Sequence, residues 1–190
     1  MIDISRSTAL ALILATGGAI AAPGAAGAMT AAEIDRNTTA ALKMLYASQP
    51  AARLLAGKAK AVLVFPRMVK AGFMFGGQIG EGAMRKGDLL RGGRTTGYYS
   101  SVAASYGFQA GIQEFAYAMF FMNDAALAAL ENAAGFEVGV GPSVVLLDQG
   151  RAKSITSTTL KEDVYAFVFG QKGLMAGMGV QGSKITKIEK

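Results

Sequence analysis

Residues 72–82 read Gly72-Phe73-Met74-Phe75-Gly76-Gly77-Gln78-Ile79-Gly80-Glu81-Gly82. Phe73, Phe75 and Ile79 fall on one side of an extended chain, and Gly72, Gly76, Gln78, Gly80 and Gly82 on the other. A period of two belongs to a pleated strand and not to a helix. The division recurs. Residues 102–113 set Val102, Tyr106, Phe108 and Ile112 against Ser105, Gly107, Gln109, Gly111 and Gln113. Residues 136–144 set Phe136, Val138, Val140 and Val144 against Glu137, Gly139, Gly141 and Ser143, and Leu174, Met178 and Val180 oppose Gly177, Gly179 and Gln181. Glycine inside a strand gives up packing and backbone entropy, so its repetition implies close backbone approach or a sharp bend. The apolar side is expected to face inward. The Gly/Gln side is expected to be shallowly solvated or covered by an approaching segment; its glycines are expected to serve curvature alone, the alternative being that this face accommodates an acyl chain or a partner.

Working outward, Ala61 to Phe65 (AVLVF) is a short buried strand that Pro66 is expected to end. Phe115 to Met122 (FAYAMFFM) is apolar on both faces, as a central strand is. Gly92-Gly93 and Gly170–Gly173 (GQKG) read as tight hairpins. Thr30-Ala31-Ala32-Glu33 fits a capping box ahead of a helix carrying Ile34, Leu42, Leu45 and Tyr46. Pro50 then opens a second short helix that stops at Gly57, and Asn123-Asp124 caps a third. The predicted class is α+β: short N-terminal helices packed on a strongly curved antiparallel β-sheet or small barrel, with one further short helix near 124–132.

The chain has 190 residues, 52% of them hydrophobic, with no His, Cys or Trp. Those absences exclude Ser/His/Asp and Cys/His nucleophile systems and ordinary zinc sites. Glu114, Asp124, Glu137, Asp148 and Asp163 have neither EF-hand nor catalytic-dyad spacing. The methionines, Met119, Met122, Met175 and Met178 among them, read as core filler. No catalytic residue, metal or cofactor is expected, and the protein is read as not an enzyme. Gly177 to Gly182 spells GxGxxG but is a strand glycine pattern, not a dinucleotide site.

Arg6, the apolar run Ala9 to Ala22 and the small residues Ala26-Gly27-Ala28 have the order of a secretory signal peptide. Residues 1–28 are therefore expected to be cleaved, leaving one domain over 29–190 in the periplasm or cell envelope. Of the remaining charge, ten bases and two acids lie between Lys43 and Arg94, a local net of +8. A polyanion is the expected partner, and for an exported chain that means anionic phospholipid or an envelope polymer rather than nucleic acid. Lys58, Lys60, Arg67, Lys70, Arg91 and Arg94 are the candidate headgroup contacts. Each cation near an anionic membrane is worth about 1 kcal/mol, so four give only ~4 kcal/mol, a millimolar attraction. Leu89 and Leu90 beside Arg91 are candidates for an apolar anchor or for core.

The blocks AKAVLVFPRMVKAGFMFGGQIGEG, TTGYYSSVAASYGFQAGIQEFAYAMFFMNDAALAAL, GVGPSVVLLD, DVYAFVFGQKGLMAG and GSKI occur in this order. Together they resemble the lipid-binding SYLF domain in its exported bacterial form, over roughly residues 31 to 188. The resemblance implies phosphoinositide or phospholipid binding and, in some eukaryotic members, actin filament binding and bundling. No actin partner is expected for an exported chain. In eukaryotic members lipid binding is associated with a basic amphipathic N-terminal segment, to which the region of Lys43 and Arg53 corresponds loosely. The function expected is that of a peripheral phospholipid-binding protein of the envelope; the alternative is an envelope protein–protein interaction or structural module without direct lipid binding.

Overall fold

The computed structural model describes residues 28–132, 135–137, 141–147, 160–177 and 180–190. Apart from Ala28, the expected signal segment lies outside them. The order of elements is α1 (Ala31–Ser48), α2 (Pro50–Ala56), β1 (Ala61–Lys86), a 3-10 turn (Leu89–Arg91), β2 (Arg94–Phe121), α3 (Asp124–Asn132), β3 (Phe136–Glu137), β4 (Val144–Leu147), β5 (Val164–Gly177) and β6 (Val180–Ile188). The class is α+β with a curved sheet, as the sequence implies.

Two strands dominate. β1 and β2 form one antiparallel hairpin that pairs from Ala61↔Phe121 to Lys86↔Arg94. On the free edge of β2, β5 covers Gln109–Phe121 and β6 covers Tyr98–Tyr106, both antiparallel. The β5 and β6 segments thus run in file along β2, and the sheet is a long ribbon of three strands. β3 adds to β6, and β4 adds in parallel to β5. Among the described residues, 136–144 is therefore not one strand: its two ends pair with different partners.

The ribbon folds back on itself near Gly72 and Gly76. A Cβ on Gly72 would lie 2.6 Å from Gly76 Cα, and one on Gly82 would lie 2.8 Å from Phe65 Cδ1 and nearer still to the Val64 carbonyl oxygen. Only glycine lets two lengths of the same strand approach so closely. The expected curvature is present, with the Gly/Gln side inside it. The expected orientation of the apolar side is corrected at the bend, where Phe73 (76% exposed), Phe75 (69%), Ile112 (63%) and Leu174 (88%) lie on the outer face. The inside of so tight a curve has no room for a phenyl ring. Side chains of residues 105–109 and 175–182 lie outside the description, and those parts of the alternation with them.

Two further expectations are corrected. Pro66 does not end the first strand, because β1 is an edge that pairs only with β2 and the register shifts between Phe65 and Met68. A missing N–H is tolerated at such a place. The GQKG run is not a hairpin either. Gly170 (φ 63°) and Gly173 (φ 86°) form a bulge within β5, opposite the register shift between Glu114 and Ala116. β2 continues past Gln113 and templates the strand onward. The other expected turn does reverse the chain, but over Gly87 to Gly93, with Asp88 Oδ1 accepting from the Arg91 N–H at 3.3 Å.

Both sheet faces are covered at the end away from the bend. Outside, Leu42, Leu45 and Leu55 of α1 and α2 pack with Val62, Val64 and Phe167. Inside, Leu127 and Leu130 of α3 close over Leu63, Met84, Met119 and Phe121. Each such side chain, fully buried, contributes roughly 1.5–3 kcal/mol. The predicted capping box is formed, with Glu33 N–H donating to Thr30 Oγ1 at 3.3 Å and Thr30 N–H donating to Glu33 Oε2 at 2.8 Å. Asn123 caps α3 through Ala126 N–H at 2.8 Å. No helix among the described residues is long and apolar enough to cross a membrane.

Candidate functional site

The six candidate cations divide between two regions. Lys58 and Lys60 follow α2 directly, Arg91 lies in the turn between β1 and β2, and Arg94 opens β2. Leu89 of that turn packs with Ala51, Ala52 and Leu55 of α2 in one core cluster, so these four belong to the end of the sheet away from the bend. Arg67 and Lys70 lie along β1 toward the bend. Among the described residues, Lys60 meets Asp124 at 3.4 Å, Arg91 meets Asp88 at 3.5 Å and Arg67 bonds Glu114. The Arg67 guanidinium holds the Glu114 carboxyl below its ordinary range. Of the two leucines in the turn, Leu89 is core and Leu90 is half exposed.

Two features at the bend complete the site. The first is the outer face, where the register ties the exposed apolar residues together: Ile112 pairs with Leu174, and Ile79 with Val102. Cations edge this face. Lys172 stands opposite Glu114, two residues from Leu174, and Lys184 stands opposite Val102. Both are exposed. Sequence periodicity identified the apolar residues but assigned them to core. The signal that could have placed them was the glycine at every second position across the strand, since glycine marks the inside of a bend.

The second feature is a cleft of about 400 Å³ inside the curl. Lys70, Gln78, Ser101, Gln113 and Ser183 line it together with Phe115, Tyr117 and Val168. Lys70 is thus turned into the cleft rather than onto the outer surface. Lys70 and Gln113 are cross-strand partners, as are Tyr117 and Val168. Along β2 the lining changes from Gln113 near the bend to Phe115 and Tyr117 nearer the core. Burial pushes the Tyr117 phenol up to about 12, so it stays neutral and able to donate. The arrangement can hold an amphiphile or present an apolar surface with cations at its margin. Among the described residues no cluster of acids could hold a metal ion.

No curated protein matches the chain. Residues 102–190 match the family model described as Ysc84, Las17-binding protein actin regulator, a span that takes in β2 from Val102 onward, α3 and β3–β6. β1, the first of the five sequence blocks (59–82) and the start of the second (95–101) precede it. Over residues 102–190, a little under half of its length, the chain is similar to the SYLF (Ysc84) domain family.

Proposed function

We propose that this protein is a peripheral phospholipid-binding protein of the cell envelope, exported and without catalytic activity. The observation that carries the reading is the outer face of the bend, where Phe73, Phe75, Ile79, Ile112 and Leu174 are exposed together and Lys172 and Lys184 stand at the margin. An exposed apolar patch of this kind marks an interaction surface. Its energetics suit a membrane: three side chains half inserted supply about 3 kcal/mol, and two cations near anionic headgroups about 2 kcal/mol more. Their sum lies between millimolar and micromolar affinity, which is reversible docking. Export rests on the order of charge, apolar run and small residues in 1–28.

A second reading is an interaction module that docks another envelope protein on the same face. The family's description as a Las17-binding protein favours it, because that description names a protein partner. Flotation of the purified chain with vesicles of phosphatidylcholine containing phosphatidylglycerol separates the two. The expected result is co-flotation at low salt that weakens at high salt and is lost in the double variant Phe73→Ser, Leu174→Ser. Absence of flotation at low salt rejects lipid binding and leaves the second reading. The variant Arg91→Ser, Arg94→Ser measures what the opposite end of the sheet contributes.

A further inference from the structure

We infer that the cleft inside the curled sheet is a binding site for a single-chain anionic amphiphile, distinct from the outer face that would rest on a bilayer. The inference goes beyond peripheral docking and does not depend on it. Three observations carry it. The cleft has a volume of about 400 Å³, near the lower end of the usual range for small-molecule sites, which suits one acyl chain better than two. Its lining is graded along one limb of the curl, with Lys70 and Gln113 toward the bend and Phe115, Tyr117 and Val168 toward the core, while Gln78, Ser101 and Ser183 line the other limb. Lys70 has no ion pair among the described residues, whereas Lys60, Lys86 and Lys190 each meet an acid.

The chemistry follows from that gradient. An ammonium beside a carboxamide on the neighbouring strand offers charge-assisted hydrogen bonds to a carboxylate or phosphate. Gln113 to Tyr117 spans roughly 13 Å of strand, along which a chain leaving that head would lie against Phe115, Tyr117 and Val168. A half-buried lysine in such a cleft is costly without an anion and inexpensive with one. A fatty acid and a lysophospholipid share this chemistry, and the experiment distinguishes them.

The test uses 11-(dansylamino)undecanoic acid as a fluorescent probe, displaced by myristate in one arm and by lysophosphatidylglycerol in the other. The chain has no tryptophan, so Val168→Trp both fills the cleft and places one reporter in it. The expected results are saturable probe binding, at least tenfold weaker binding in Val168→Trp, and quenching or shift of its emission only when the cleft is still entered. Lys70→Gln leaves the apolar lining intact and is expected to weaken myristate at least tenfold while leaving 1-tetradecanol unchanged. The more effective competitor identifies the head. Phe73→Ser with Leu174→Ser is expected to retain probe binding although vesicle flotation is lost, which separates this site from the outer face. Probe binding that is absent, that is lost in the bend variant, or that is unaffected by both Lys70→Gln and Val168→Trp overturns the inference.

Discussion

Gly82 lies directly against the Val64 carbonyl of its own strand, and this contact closes the curl. A Cβ there would stand 2.8 Å from Phe65 Cδ1 and closer to the carbonyl itself, which is backbone and cannot swing aside. A Cβ on Gly77, by contrast, would meet only the Ala103 carbonyl oxygen, at 3.8 Å. Gly82→Ala is therefore expected to destabilise the fold by about 1–3 kcal/mol through overpacking, whereas Gly77→Ala changes it by less than about 0.5 kcal/mol. Urea midpoints of the two variants measure the contrast, and equal midpoints would show that the two halves of β1 do not press together.

Arg85 is the buried cation of the outer face. Its side chain is 9% exposed and meets Asp35 Oδ1 of α1 at 3.5 Å. Its Nη2 donates to the Asp35 carbonyl at 2.8 Å. Asp35 also accepts from Thr95 Oγ1 at 2.6 Å and from the Tyr98 hydroxyl at 3.1 Å, so one carboxylate ties α1 to β1 and β2. Asp35→Ala leaves the guanidinium without its counter-charge and is expected to cost about 2 kcal/mol. Adding Arg85→Met removes the stranded charge and is expected to recover part of that loss. Additive losses in chemical denaturation would mean that the two residues act independently.

How much of this was legible in the sequence follows from how local each signal is. The Thr30/Glu33 capping box, Pro50 at the start of α2 and the Asn123 cap were readable because a helix end is specified by residues within one turn. The strand character of 72–82 was equally local. Which way Phe73 faces was not, because period two gives two sides and leaves the choice of inner side to the curvature. Pro66 and the GQKG run misled for a related reason. A proline or paired glycines end a strand in isolation, but β2 offers a continuous template beside them and converts each into a bulge. The candidate cations were identified by type and density in the chain, whereas their separation into an end group and a bend group depends on where the ribbon folds. Asp35 and Arg85 carried no sequence signal, being far apart and ordinary in composition.

Asp163 links three elements and gives the fold an acid-sensitive joint. Its carboxylate accepts from the Ser143 N–H at 3.0 Å, from Asn123 Nδ2 at 2.7 Å and from Ser143 Oγ at 3.1 Å, thereby holding the cap of α3 to β4 and β5. Those bonds, the Ser143 N–H foremost, lower its pKa below the ordinary 3.8. Because the folded value lies below the unfolded one, the stabilisation is fully present above about pH 4 and is lost as pH falls through the folded value. The capping-box carboxyl of Glu33 is lowered as well, chiefly by the Thr30 side chain, and acts in the same direction. With no histidine in the chain, no side chain titrates near its unperturbed value between pH 5 and 8. Melting temperature is therefore expected to be flat from pH 5 to 8 and to fall below pH 4. Asp163→Asn is expected to melt lower at pH 6 and to show a shallower acid limb, as recorded by circular dichroism from pH 2 to 7. An acid limb parallel to that of the unmodified chain would mean that protonation of Asp163 does not loosen the joint.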